Sequence, residues 1–106
     1  MSFTIGLATT GSPRPYPIFG SVGPTLSGTE KSGSALTCNP GEWVGQDVLL
    51  TYQWYQDNVA IGGGVAAAYM LVVGDQTHKV HCVVTGTNAW GTNTAASAQS
   101  ATITAP

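Results

Sequence analysis

Apolar residues fall on every second position in three stretches of this chain. In Leu36-Thr37-Cys38 the side chains at 36 and 38 share one face and Thr37 takes the other. In Tyr52-Gln53-Trp54-Tyr55-Gln56, Tyr52 and Trp54 lie opposite Gln53 and Tyr55. In Val80-His81-Cys82-Val83-Val84, residues 80, 82 and 84 lie opposite His81. Period two is the signature of a half-buried antiparallel strand. It predicts a core containing Leu36, Cys38, Tyr52, Trp54, Val80, Cys82 and Val84, with His81 on the solvated face.

Extending the pattern predicts strands over residues 25–27, 34–39, 50–56, 59–61, 68–72, 78–86 and 95–104. Turn chemistry separates them: Asn39-Pro40-Gly41, Asp57-Asn58, Gly62-Gly63-Gly64, Gly74-Asp75 and Asn88-Ala89-Trp90-Gly91. No window carries helical periodicity with caps, and Ala66-Ala67-Ala68 beside three glycines is too short to nucleate a helix. The expected fold class is all-β.

The N-terminal stretch differs from the rest. Residues 2–10 alternate loosely, with Phe3, Ile5 and Leu7 on one side, and read as a strand that can join a sheet of its own or another chain. Pro13, Pro15 and Pro17 then occupy alternate positions, which holds the backbone extended and excludes a central strand. Residues 1–22 are therefore expected to form an extended arm and residues 23–106 the compact domain. A domain of about 84 residues has a radius of gyration near ~12 Å, whereas 22 extended residues reach about 70 Å. The arm exceeds what its own domain absorbs, so Phe3, Ile5, Leu7, Tyr16, Ile18 and Phe19 are expected to dock on a partner.

Composition narrows the function. Only 8% of the 106 residues are charged and the net charge is −2, so no basic patch forms that holds nucleic acid or an anionic membrane by counterion release. No segment has the roughly 20 apolar residues of a membrane span. Residues 1–20 lack the basic and apolar regions of a secretory signal, and the expectation is a short reading frame starting at Met1 and made in a cytosol. Cys38 and Cys82 would close a loop of about 44 residues, worth roughly 4 kcal/mol if bridged; two buried thiols are the other reading, favoured by a reducing compartment.

Catalytic chemistry is hard to assemble. The two histidines are His78 and His81, and Asp47, Asp57 and Asp75 belong to separate turns without calcium-loop spacing. Neither a Cys-x-x-Cys zinc pattern nor a Gly-x-Ser-x-Gly elbow occurs. The expectation is a protein that is not an enzyme and has no metal or cofactor. Trp43 is expected to cover one end of the domain, and Trp90 with Asn88, in the last interstrand loop, is the candidate ligand-binding loop.

One resemblance covers residues 23–105. The segments Gly23-Pro24-Thr25-Leu26-Ser27-Gly28, Gly33 to Trp43 with its Asn39-Pro40-Gly41-Glu42-Trp43 end, Tyr52-Gln53-Trp54-Tyr55-Gln56-Asp57, and Val80-His81-Cys82-Val83-Val84-Thr85-Gly86-Thr87-Asn88 resemble bacterial and bacteriophage immunoglobulin-like domains. Trp54 follows Cys38 by 16 residues and Cys82 follows Trp54 by 28, the Cys…Trp…Cys order of that fold. Val80 stands where antibody-type domains carry a corner tyrosine. The resemblance implies a two-sheet β-sandwich and a place among virion proteins. The expected role is a capsid decoration protein on the virion surface, its arm docked on the major capsid protein, another virion structural protein or a symmetry mate in a homo-oligomer. The alternatives are a tail or fibre module, or a bacterial surface module, with weak contact to host glycans.

Overall fold

The computed structural model describes residues 17–19 and 22–106; Phe3, Ile5, Leu7 and Tyr16 of the expected arm lie outside the described residues. Among those described, the strands are β1 (Ile18–Phe19), β2 (Thr25–Gly28), β3 (Ala35–Asn39), β4 (Trp43–Val44), β5 (Leu49–Gln56), β6 (Val59–Ala60), β7 (Ala68–Met70), β8 (Val80–Asn88) and β9 (Gly91–Ala96). A three-stranded sheet runs β2-β3-β7, a four-stranded sheet runs β6-β5-β8-β9, and β1 pairs with β4 as a short ribbon. All of these strand pairs are antiparallel, and the expected all-β class is what the chain adopts.

The two larger sheets share one core of Leu36, Cys38, Trp54, Leu71, Val80, Cys82, Val84 and Ile103, with Leu26, Trp43, Leu50, Tyr52, Ile61 and Tyr69 partly buried against it. The period-two pattern places these residues correctly, because alternate side chains of β3, β5 and β8 point between the sheets. Register sets Trp54 beside Cys82 and Tyr52 beside Val84. Across the core, the Trp54 ring stacks on Tyr69 of β7 at 5.6 Å between centroids, and the indole Nε1–H donates to the Ala66 carbonyl at 2.7 Å. A fully buried tryptophan needs such an acceptor.

Ile18 and Phe19 pair with Val44 and Trp43, so paired chain begins before the expected boundary at residue 23. Pro17, just ahead of β1, is fully buried, and its carbonyl accepts from the Asn93 Nδ2 of β9 at 3.4 Å. Trp43 covers the end of the sandwich as its position after the Pro40-Gly41 turn predicts. Its ring lies so close over Gly86 that a Cβ there would sit 2.7 Å from the ring, which is why a glycine interrupts β8.

The last predicted strand, 95–104, is corrected by the structure. The ladder with β8 ends at Ala96, and the chain beyond advances three residues for every two of β8. Ser97, Ser100 and Ile103 donate their amides to the carbonyls of Cys82, Val80 and His78 at 2.9, 2.8 and 2.9 Å. In return the amides of Cys82 and Val80 donate to the Ser97 and Ser100 hydroxyls at 3.0 and 3.1 Å. Each serine oxygen thus takes the place of a strand carbonyl, and the buried positions acquire period three. The strand predicted over 68–72 stops at Met70 because Val72 turns its amide to the Asp75 carboxylate at 2.9 Å. The one predicted over 78–86 shifts to 80–88 because Asn88 still pairs with Gly91 across a tight hairpin.

Replacing Ser100 by alanine leaves the buried Val80 amide without its acceptor. The expected outcome is a loss of about 1–3 kcal/mol of stability, read as a lower urea midpoint with unchanged slope, and an equal loss for Ser97→Ala.

Candidate interaction surface

The groups that carry chemistry are largely turned inward. Cys38 and Cys82 are unbridged and buried. The Cys82 thiol hydrogen-bonds to Cys38, which lowers the Cys38 pKa; the same bond, reinforced by burial, raises that of Cys82. The pair is therefore closed from solvent but adjacent across the two sheets. Leu36, Trp54, Val80 and Val84 are all within 1% of complete burial, and Tyr52 packs partly buried against them.

Asp75 proves more than a turn residue. Its carboxylate is 2% exposed and accepts from the Gln56 Nε2 at 2.8 Å, the Tyr69 hydroxyl at 2.8 Å and the Val72 amide at 2.9 Å. Burial is the larger cause of the upward shift of the Tyr69 pKa, with the hydrogen bond to Asp75 second. The sequence signal was slight, since a single aspartate after a glycine reads as a surface cap. This network forms one end of an open cleft of about 300 Å³ lined by Val59, Ala60 and Ile61 on one side and Tyr69 and Val72 on the other.

His81 departs from its expected solvated position. It is 9% exposed, its ring stacks on Tyr55 at 5.1 Å, and its buried Nδ1 has no hydrogen-bond partner. Alternation places it correctly on the outer face; the neighbouring β5 aromatic, directly opposite in register, covers it there. Desolvation lowers its pKa. His78 instead meets the Asp57 carboxylate at the surface, and Asp57 also accepts the Lys79 amide at 3.1 Å. The His78 bond is the larger cause of its lowered pKa. Among the described residues no group of three His, Cys, Asp or Glu side chains is arranged to hold a metal ion.

Trp90 stands at the tip of the β8–β9 hairpin and is 55% exposed. Asn88 builds that tip: its Oδ1 accepts from the Trp90 and Gly91 amides at 2.9 and 3.2 Å, and its Nδ2 donates to the Gln46 carbonyl at 2.8 Å. Asn88 therefore positions the loop, and Trp90 is the residue presented. The remaining apolar exposure is uneven. Val22, Val44 and Leu49 are exposed around β4 and the start of β5, while Val59, Val65, Met70, Val72 and Val73 all belong to the chain from β6 through the turn after β7, a concentration that alternation within single strands does not reveal.

Two outcomes follow from this geometry. Unfolded His81 takes up a proton near its ordinary value of 6.5, while the folded ring resists it. Stability is therefore full above that pH and falls as the pH drops from it toward the lowered folded value. Denaturation at pH 7 and pH 5 should show this loss, reduced in His81→Phe, which keeps the stack on Tyr55. For the thiols, native protein under reducing conditions should be inert to a thiol reagent, with both cysteines reacting on unfolding. Oxidation to a Cys38–Cys82 bridge should add up to about 4 kcal/mol, measured by denaturation with and without reductant.

Compared with protein-family models, curated proteins and solved structures, the chain matches none.

Proposed function

We propose that this chain is a non-enzymatic accessory protein of a bacteriophage particle: an immunoglobulin-like domain that decorates the capsid exterior, held there through its N-terminal segment. The observation that carries this reading is the combination of a sandwich-like body with a preceding stretch of apolar and proline residues. The body takes up Pro17 and pairs residues 18–19, and Phe3, Ile5, Leu7 and Tyr16 precede them in sequence. The body supports the immunoglobulin-like assignment by burying Trp54 directly against Cys82, with Cys38 across the core. An 8% charged composition fits a protein that works by shape and backbone pairing rather than by electrostatic capture.

A second reading rests on Trp90. An exposed tryptophan on a hairpin tip fixed by Asn88 suits stacking on a sugar ring, which favours a tail, fibre or cell-surface module contacting glycans.

Co-sedimentation of the full chain with particles that lack it tests the first reading. Binding is expected, with Ile5→Asp weakening it and Trp90→Ala leaving it intact. Absence of binding, together with glycan binding abolished by Trp90→Ala, would establish the second.

A further inference from the structure

The two sheets are unequal, and the inequality has a definite location. Cys38 on β3 meets Cys82 on β8, and Tyr69 on β7 stacks on Trp54 of β5. β2 lies against the 97–103 segment, with Leu26 and Ser100 lining one cavity. Among the described residues, these pairings leave β6 and β9, the two margins of the four-stranded sheet, with no strand opposite them. The place beside β7 and opposite β6 holds no strand among the described residues, and the 300 Å³ cleft between Val59 and Val72 lies there.

The edge itself is receptive. Leu71 exchanges both backbone bonds with the chain before β3, through Ser34 and Gly33 at 2.9 and 2.8 Å. Alternation in an antiparallel ladder then turns the backbone groups of Ala68 and Met70 outward, away from β3. Exposed edges are usually guarded by shortness, lysine, proline or a bulge, and here β6 and β7 are short, two and three residues. The cations of this chain are Arg14, Lys31 and Lys79, none of them on β6 or β7. Instead the rim carries Val59 at 68%, Met70 at 56% and Val72 at 53% exposure.

We infer that this vacancy receives residues 2–10 of a second copy of the chain, added as a strand along β7 with Phe3, Ile5 and Leu7 facing β6 across the cleft. The segment has the period-two apolar face that the place requires. Its attachment favours exchange between copies. The described chain begins at Pro17, tied to Asn93 of β9, at the opposite margin of the four-stranded sheet from β6. Three strand spacings separate those margins, about 14 Å. Six residues, 11–16, separate that segment from Pro17, and Pro13 and Pro15 among them disfavour the tight reversal that folding back would need. This rests on the proposed function and narrows it: residues 2–10 meet a symmetry mate on the particle, so Ile5→Asp loosens particle binding through the lost link between copies.

The test pairs light scattering with cross-linking of the full chain. Wild-type protein is expected to associate with rising concentration. Val59→Lys, an exposed site that leaves the core untouched, should weaken association about ten-fold or more, the contact of one buried valine; Ile5→Asp should do the same. Under mild oxidation, the double variant Ile5→Cys with Val59→Cys should give a disulfide-linked dimer, since Cys38 and Cys82 are buried and do not compete. A cross-link confined to one chain would overturn exchange in favour of folding back, and absence of any cross-link, or association indifferent to Val59→Lys, would overturn the cleft as the site. Protein that binds particles without forming the linked dimer sinks this inference alone. Protein that forms the dimer without binding particles sinks the particle reading alone.

Discussion

The buried amides of β8 are the constraint on which this structure depends. The strand is interior to its sheet, with Val80, His81, Cys82, Val84 and Gly86 all buried, so an amide there without an acceptor carries its full desolvation penalty. β5 supplies one side through eight consecutive register pairs from Leu49–Thr87 to Gln56–Val80. On the other side β9 supplies acceptors only as far as Ala96. Beyond it the chain keeps β8 satisfied by a different device, hydroxyl acceptors at Ser97 and Ser100. That device draws Ile103 into the core and carries Thr104 to the Glu30–Ser32 turn, where it exchanges backbone bonds at 3.0 and 3.1 Å. The C-terminal segment thereby ties the two sheets together without being a regular strand.

Much of this body was legible in the chain. Residues 36, 38, 54, 80, 82 and 84 were identifiable as core because each sits on a strand long enough to show alternation. The strands of β3, β5 and β8 were located to within two residues for the same reason. The 97–104 segment was misread because its order comes from serine side chains, and a Ser-x-x-Ser-x-x-Ile spacing matches neither the strand nor the helix period. β4 escaped notice since two residues show no period at all, and Asp75 since a buried carboxylate hub depends on Gln56 and Tyr69, 19 and 6 residues away. His81 was assigned its correct face and the wrong solvation, because cover by Tyr55 depends on cross-strand register.

The same contrast separates Trp90 from the exposed valines and methionine between β6 and the turn after β7. Trp90 was visible in the sequence as a loop tryptophan, and its exposure follows from a local Asx turn at Asn88. The Val59–Val73 rim was invisible, because its meaning lies in a comparison between sheets: among the described residues one has three strands and the other four, and β6 lies at a margin without a strand opposite. A sandwich margin left this way exposes the flank of its own core, here Tyr69 and Ile61 at the cleft wall.

Low charge makes that margin consequential. A protein with three cations in 106 residues has few of the side chains that usually keep one sheet edge from pairing with another. Gly28, with φ +122°, ends β2 and turns that edge; the outer face of β8 is closed by Tyr55 over His81; β9 is followed by the serine segment. Among the described residues the β6–β7 margin is limited by the shortness of its strands, two and three residues, and carries no charged side chain on them. Such an edge leads either to indiscriminate aggregation or to a specific strand that occupies it first. The proposed strand of residues 2–10, with apolar Phe3, Ile5 and Leu7 at alternate positions ahead of a proline spacer in the sequence, would be that occupant. The length of that spacer then decides whether the strand closes its own sandwich or its neighbour's, which is why the distinction between exchange and folding back rests on residues 11–17 rather than on the cleft.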